Sequence, residues 1–130
     1  MNNKVKIAVD AMGGENAPRK IIKGINISLK KNRENYFYLF GNKDLINEEI
    51  NNDKLLRANS EIIDTKSVIS DNESPLAAAK KGKESSMWKA IEFMKNKNAD
   101  ITLSAGNTGA MLVISRLLLN TIPGISKPAL

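Results

Sequence analysis

Cysteine and histidine are both missing from the 130 residues. Without cysteine there is no disulfide, no thiol nucleophile and no thiolate-held zinc. Without histidine there is no Ser-His-Asp triad, and the commonest general base and metal ligand is gone. No compact group of acids replaces them, so no metal site is expected. Chemistry in this chain has to run on carboxylates, amides, hydroxyls, Lys, Arg and backbone dipoles. Long apolar runs are missing too. The longest, Ala110–Leu119, is broken by Ser115 and Arg116, whereas a helical membrane span needs about 20 apolar residues. Met1-Asn2-Asn3-Lys4 leads straight into a strand-like stretch, with no apolar signal-peptide region. The expected location is therefore cytoplasmic.

The composition is that of an ordinary globular chain, 42% hydrophobic and 26% charged, and the length suits one domain. The net charge of +6 is unevenly spread. Lys and Arg against acids count eight to three over residues 1–40, five to eight over 41–80 and seven to three over 81–130. A uniformly basic nucleic-acid binder would not turn acidic in its middle third, and no nucleic-acid partner is expected. A positive face can also meet an anionic membrane or an acidic protein. Lys outnumbers Arg sixteen to four, and Asn and Ile are abundant. That bias fits an AT-rich coding sequence and solvated surface lysines.

Strand and helix patterns alternate along the chain. Val5–Val9 alternates and is β-branched, predicting a first strand. A glycine-broken loop, Asp10–Ala17, follows. Pro18 suits a helix start, and Ile21, Ile22, Ile25 and Leu29 then recur at helical spacing up to Lys31. Tyr36–Phe40 reads as a strand covered on both faces, Gly41-Asn42 as its end and Lys43–Ile50 as a helix. Glu61–Thr65 is a weaker strand. Ser74 and Pro75 open a helix through Ala79, which Gly82 interrupts. A longer helix starts from Ser85, with Met87, Trp88, Ile91 and Met94 on its core face. Residues 100–104 form another strand, and Ala110–Asn120 a helix that is apolar nearly all round. Residues 122–130 read as a loop leading toward a further strand. The order predicts an α/β fold, a parallel sheet with helices on both faces. The apolar last helix needs partners on more than one side, so a longer protein is expected.

Ligands of parallel sheets bind beyond the carboxyl ends of the strands. Three such ends carry Gly, Asn or Asp: Asp10–Gly14, Gly41-Asn42-Lys43 and Gly106-Asn107-Thr108-Gly109. The third is the most informative. A glycine-rich turn into a helix presents backbone N–H groups to an anion, with Asn107 or Thr108 as cap and extra donor. It matches neither standard nucleotide motif, and it can equally be a capped, tightly packed helix without ligand. Asp10 is either a ligand-orienting carboxylate or a turn residue bonding its own backbone. Glu15 is a general base or an exposed loop acid. Lys80, Lys81 and Lys83 form a small basic cluster that suits a solvated face, and Ser85-Ser86 reads as a helix cap.

These stretches together resemble one family, the bacterial phosphate acyltransferase of phospholipid synthesis. The resemblance is carried by residues 10–18 (DAMGGENAP), Gly41-Asn42, Glu73–Ala78 (ESPLAA), Lys83–Met87 (KESSM), Ser104–Ala110 (SAGNTGA) and Lys127–Leu130 (KPAL), in the family's order. Glu15 stands where the family usually has Asp. Family members are considerably longer, so the chain reads as the N-terminal part of a single α/β acyltransferase domain. The resemblance implies a fold similar to phosphate acetyltransferases and isopropylmalate-type dehydrogenases. It implies that acyl–acyl-carrier-protein and inorganic phosphate form acyl-phosphate, without a cofactor. It also implies a homodimer that associates peripherally with the membrane, and a downstream membrane glycerol-3-phosphate acyltransferase. Direct attack of phosphate on the thioester needs no enzyme nucleophile, only positioning and oxyanion stabilisation. On that reading Ser104, Gly106, Asn107, Thr108, Gly109 and Asn42 hold phosphate, and Asn107, Asp10 and Lys43 are the catalytic candidates. Asn42 and Lys43 meet oxyanion or phosphate, and Asp10 and Asn16 shape the rim. Lys80, Lys81 and Lys83 contact the carrier protein or its pantetheine. The rivals are a coenzyme A-dependent phosphate acetyltransferase-like enzyme, a dehydrogenase of the same fold, a basic binding module, and an inactive or binding-only fragment.

Overall fold

The computed structural model describes residues 4–128. Four strands, β1 (Lys6–Asp10), β2 (Tyr36–Gly41), β3 (Ser60–Asp64) and β4 (Ile101–Ser104), form one all-parallel sheet in the order β3-β2-β1-β4. The helices are α1 (Arg19–Lys31), α2 (Lys43–Ile50), α3 (Lys54–Ala58), α4 (Pro75–Lys81), α5 (Ser86–Lys95) and α6 (Thr108–Leu118). A 3-10 turn, Gly82–Glu84, separates α4 from α5 where Gly82 was expected to interrupt. The fold is the α/β architecture that the alternating patterns predict.

Pleating sorts β1 and β2 between two cores. Val9, Phe37 and Leu39 pack with Ile22, Ile25 and Leu29 of α1 and with Ile46, Ile50 and Leu56. Ala8 and Phe40 point the other way, with Ala90, Tyr38 and Phe93. Both faces of β2 are therefore covered, which explains its unbroken apolar run. A third cluster, Ile69, Ala78, Met87, Trp88, Ile91, Ala110 and Ile114, joins α4, α5 and α6. Met94 is only half-buried.

The strand ends shift by a residue from the sequence expectation, and two helices differ more. Helix α6 starts at Thr108, not Ala110, because Asn107 takes the cap position and its Oδ1 accepts from Ala110 N at 3.0 Å. It ends at Leu118. Helix α3 was not expected at all; Asp53 caps it by accepting from Leu55 N and Leu56 N at 2.9 and 3.0 Å. Residues 119–128 contain no helix or strand, in line with the loop expected from residue 122. Ala129 and Leu130 of the last motif, and the first three residues, lie outside the described residues.

Candidate functional site

The carboxyl ends of β1 and β4 are neighbours, and their loops interlock. Asp10 ends β1 with its side chain 2% exposed. Its Oδ1 accepts from Ser86 Oγ at 2.6 Å and from Met12 N at 3.2 Å. Its Oδ2 accepts from Ser104 Oγ at 2.7 Å. Ser104 Oγ in turn accepts from Gly106 N at 3.1 Å. Buried carboxylates need such partners, and here the partners come from α5, β4 and the loop after β1. The turn reading of Asp10 is met, since it accepts from Met12 N in its own turn, and the same carboxylate also joins three elements.

Gly13 fits into this junction because it has no side chain. A Cβ there would lie 2.5 Å from Asp10 Oδ2 and 2.9 Å from Gly106 N and from Ser104 Oγ. Gly14 has φ +95° and sits against the Ala105 carbonyl. Together the loops leave an open cleft of about 430 Å³, lined by Gly14, Glu15, Asp71 and residues 105–109.

Helix α6 aims its N-terminus into that cleft. Asn107 Oδ1 satisfies Ala110 N, and the Asn107 carbonyl accepts from Met111 N. Gly106 N is turned down onto Ser104. Among the described residues, no acceptor within the chain meets the backbone N–H groups of Asn107, Thr108 or Gly109. Three unpaired donors at a helix N-terminus favour an anion. Thr108 is exposed beside them. Glu15 and Asp71 also line the cleft with two carboxylates, so the N–H groups are the donors it offers to an anion.

The Asn107 side chain is fully engaged. Its Nδ2 donates to the carbonyls of Glu73 at 2.8 Å and Ser70 at 3.0 Å. One amide thus caps α6 and ties down the loop before α4. Pro75 of α4 packs so closely on Gly109 that a Cβ there would meet Pro75 Cγ at 2.8 Å.

The β2 loop shares the edge but does not line the cleft. Asn42 caps α2, accepting from Asp44 N and Leu45 N at 3.0 and 3.1 Å. Lys43 N donates to Asp64 Oδ1 at 3.1 Å, and the Lys43 side chain is exposed. Met12 lies between, against Gly41. Lys80 and Lys81 end α4, where cations suit the helix dipole. With Lys83 they are exposed and away from the cleft lining. Asn16 borders a separate open cleft of about 560 Å³ with Arg19, Lys20 and Lys23 of α1. Ser86 was also missed. Of two consecutive serines only Ser85 caps α5, accepting from Trp88 N at 3.2 Å. Ser86 turns inward to Asp10, and nothing in the local pattern distinguishes it.

The chain is a parallel α/β sheet with a glycine-lined cleft at its carboxyl edge, the edge where open sheets of this class carry their ligands. The chain belongs to the family described as "Fatty acid synthesis protein", which matches residues 5–130. Its relatives carry the name phosphate acyltransferase. The one from Pelagibacter ubique strain HTCC1062 is 52% identical over 130 residues, all of this chain and 38% of the relative. Those from Rhodopseudomonas palustris strain BisA53 and Bradyrhizobium diazoefficiens are each 42% identical over 131 positions, covering all of this chain and 38% and 37% of the relatives. The chain thus spans a little over a third of these relatives' length. Among the described residues, no helix is long and apolar enough to cross a membrane.

Proposed function

We propose that the protein containing this chain transfers a long-chain acyl group from acyl–acyl-carrier-protein to inorganic phosphate, making acyl-phosphate for phospholipid synthesis. The observation that supports this most directly is the set of unpaired N–H groups at residues 107–109, on a floor braced by Asp10, Ser86 and Ser104. Phosphate held there keeps a free oxygen for the thioester carbonyl. A carbon–oxygen bond forms, the carbon–sulfur bond breaks, and the carrier's thiol leaves with a proton from solvent or phosphate. Preorganised N–H donors stabilise the tetrahedral oxyanion.

On this reading Gly106, Asn107 and Ser104 shape the phosphate site, while Thr108 and Gly109 contact its ligand. Asn42 and Lys43, one loop away, are proposed for the thioester end, and Lys80, Lys81 and Lys83 for the acidic carrier. The chain is the N-terminal part of one α/β acyltransferase domain. The complete protein is a homodimer, touches the membrane peripherally and hands its product to a membrane glycerol-3-phosphate acyltransferase. A specific rival is that this chain binds phosphate without turnover, since it spans little over a third of its relatives.

The test is phosphate-dependent cleavage of a long-chain acyl–carrier-protein by this chain and by the full-length Pelagibacter relative. Acyl-phosphate from both supports a site within these residues. Product from the relative alone supports the binding-only reading of this chain. No product from either, with both folded, sinks the proposal.

A further inference from the structure

We infer that Ser86 and Asp10 are positioning residues for the anion cleft, and that Asp10 acts there as a hydrogen-bond acceptor and not as a proton carrier. The inference rests on the cleft being the phosphate site proposed above. Both residues are buried, at 0% and 2% exposure, so neither touches a ligand in the cleft. They reach it through a chain of bonds. Ser86 Oγ donates to Asp10 at 2.6 Å, Ser104 Oγ donates to Asp10 at 2.7 Å, and Gly106 N donates to Ser104 Oγ at 3.1 Å.

The direction of each bond matters. A hydroxyl that gives its hydrogen to a carboxylate presents its lone pairs elsewhere. Asp10 therefore makes Ser104 an acceptor, and Ser104 draws the Gly106 N–H down out of the cleft. That pull sets the turn from which the next three N–H groups face the open side. Ser86 holds the other oxygen of the same carboxylate, so it fixes the carboxyl plane from the start of α5. A negative charge under an anion site is unfavourable for the anion itself. Its place is explained by the geometry it imposes.

The inference separates two substitutions that a merely structural role would not. In Asp10→Asn, Ser86 Oγ–H and Met12 N–H still demand an oxygen at the Oδ1 position. The new NH2 then takes the Oδ2 place and donates to Ser104 Oγ, which still accepts from Gly106. Gly106 stays anchored while the charge disappears. In Ser86→Ala the charge stays, but the carboxyl plane loses its anchor.

Amide exchange at Gly106, followed by NMR, and a titration with inorganic phosphate test this on the protein and its two variants. Exchange at Gly106 is expected to stay near the parent rate in Asp10→Asn and to rise about tenfold in Ser86→Ala. Phosphate is expected to bind about threefold or more tighter in Asp10→Asn and about three- to tenfold weaker in Ser86→Ala. Equal loosening of Gly106 in both variants overturns the inference, as does an unchanged Gly106 in Ser86→Ala. Should Ser86→Ala fail to fold, Ser86→Cys supplies a weaker donor of similar shape and faces the same criterion. If the parent protein binds no phosphate, the proposed function falls, while the exchange pattern still decides the positioning role.

Discussion

A methyl group on Gly13 would meet Asp10 Oδ2 at 2.5 Å and the backbone of Gly106 at 2.9 Å, neither of which can retreat. Gly13→Ala is expected to cost about 1–3 kcal/mol, the range for an overpacked interior, read as a lower urea midpoint. Asn107 carries two duties in one amide. Asn107→Ala removes the α6 cap, worth about 1 kcal/mol, and frees the carbonyls of Ser70 and Glu73. A melting temperature several degrees lower is expected alongside weaker phosphate binding, because cap and cleft share the residue. Thr108 makes no such bonds and is exposed. Thr108→Ala should leave the melt within about 0.5 kcal/mol of the parent and weaken phosphate binding alone. Unchanged phosphate affinity in both variants would remove the side chains of Asn107 and Thr108 from the site and leave only their backbone N–H groups to hold the anion. The amide of Asn107 and the turn of Asp10 were legible as capable of these bonds. Their partners, 34 and 94 residues away, were not.

Five helices start on a side-chain cap: Asn42, Asp53, Ser74, Ser85 and Asn107. Four of these lie where a turn signal precedes a clear apolar pattern, and there the sequence is a fair guide. Helix α3 escaped because five residues are too short to show a helical period. Asp53 holds it at both ends of its carboxylate, capping α3 through Oδ1 and accepting from Asn26 of α1 through Oδ2. Asp53→Ala is expected to cost about 1–2 kcal/mol, with faster amide exchange at Leu55 and Leu56. A urea midpoint that does not move would show that packing of Leu56 alone keeps α3 folded. On α6 the apolar surface is wider than its contacts. Ile114 is buried and Leu117 is 60% exposed, which matches a helix patterned for partners on more than one side.

Register places Ile101 and Leu103 of β4 beside Ile7 and Val9 of β1. α1 covers that face over Val9 but leaves Ile101 and Leu103 about half exposed, at 49% and 52%. Among the described residues β4 is also an edge, paired with β1 alone. An apolar edge strand invites self-association. If this edge drives association, Leu103→Lys shifts the chain toward monomer in sedimentation velocity with little change in its melt; a distribution that is the same in parent and variant shows that it does not. The alternation of patterns by itself determined the parallel α/β class, because apolar periods of two and 3.6 leave few ways to bury both kinds of surface. The same local chemistry determined which strand ends are glycine-rich turns. Tertiary structure decided which of those turns meet. Parallel strands put all three on one edge, and the loops after β1 and β4 interlock through Asp10 and Ser104, whereas Asn42 caps α2 and Lys43 N bonds to Asp64. It also decided that Ser86 bonds to Asp10 while Ser85 caps a helix, because both are buried and only the packing of α5 on β1 brings one of them to the carboxylate.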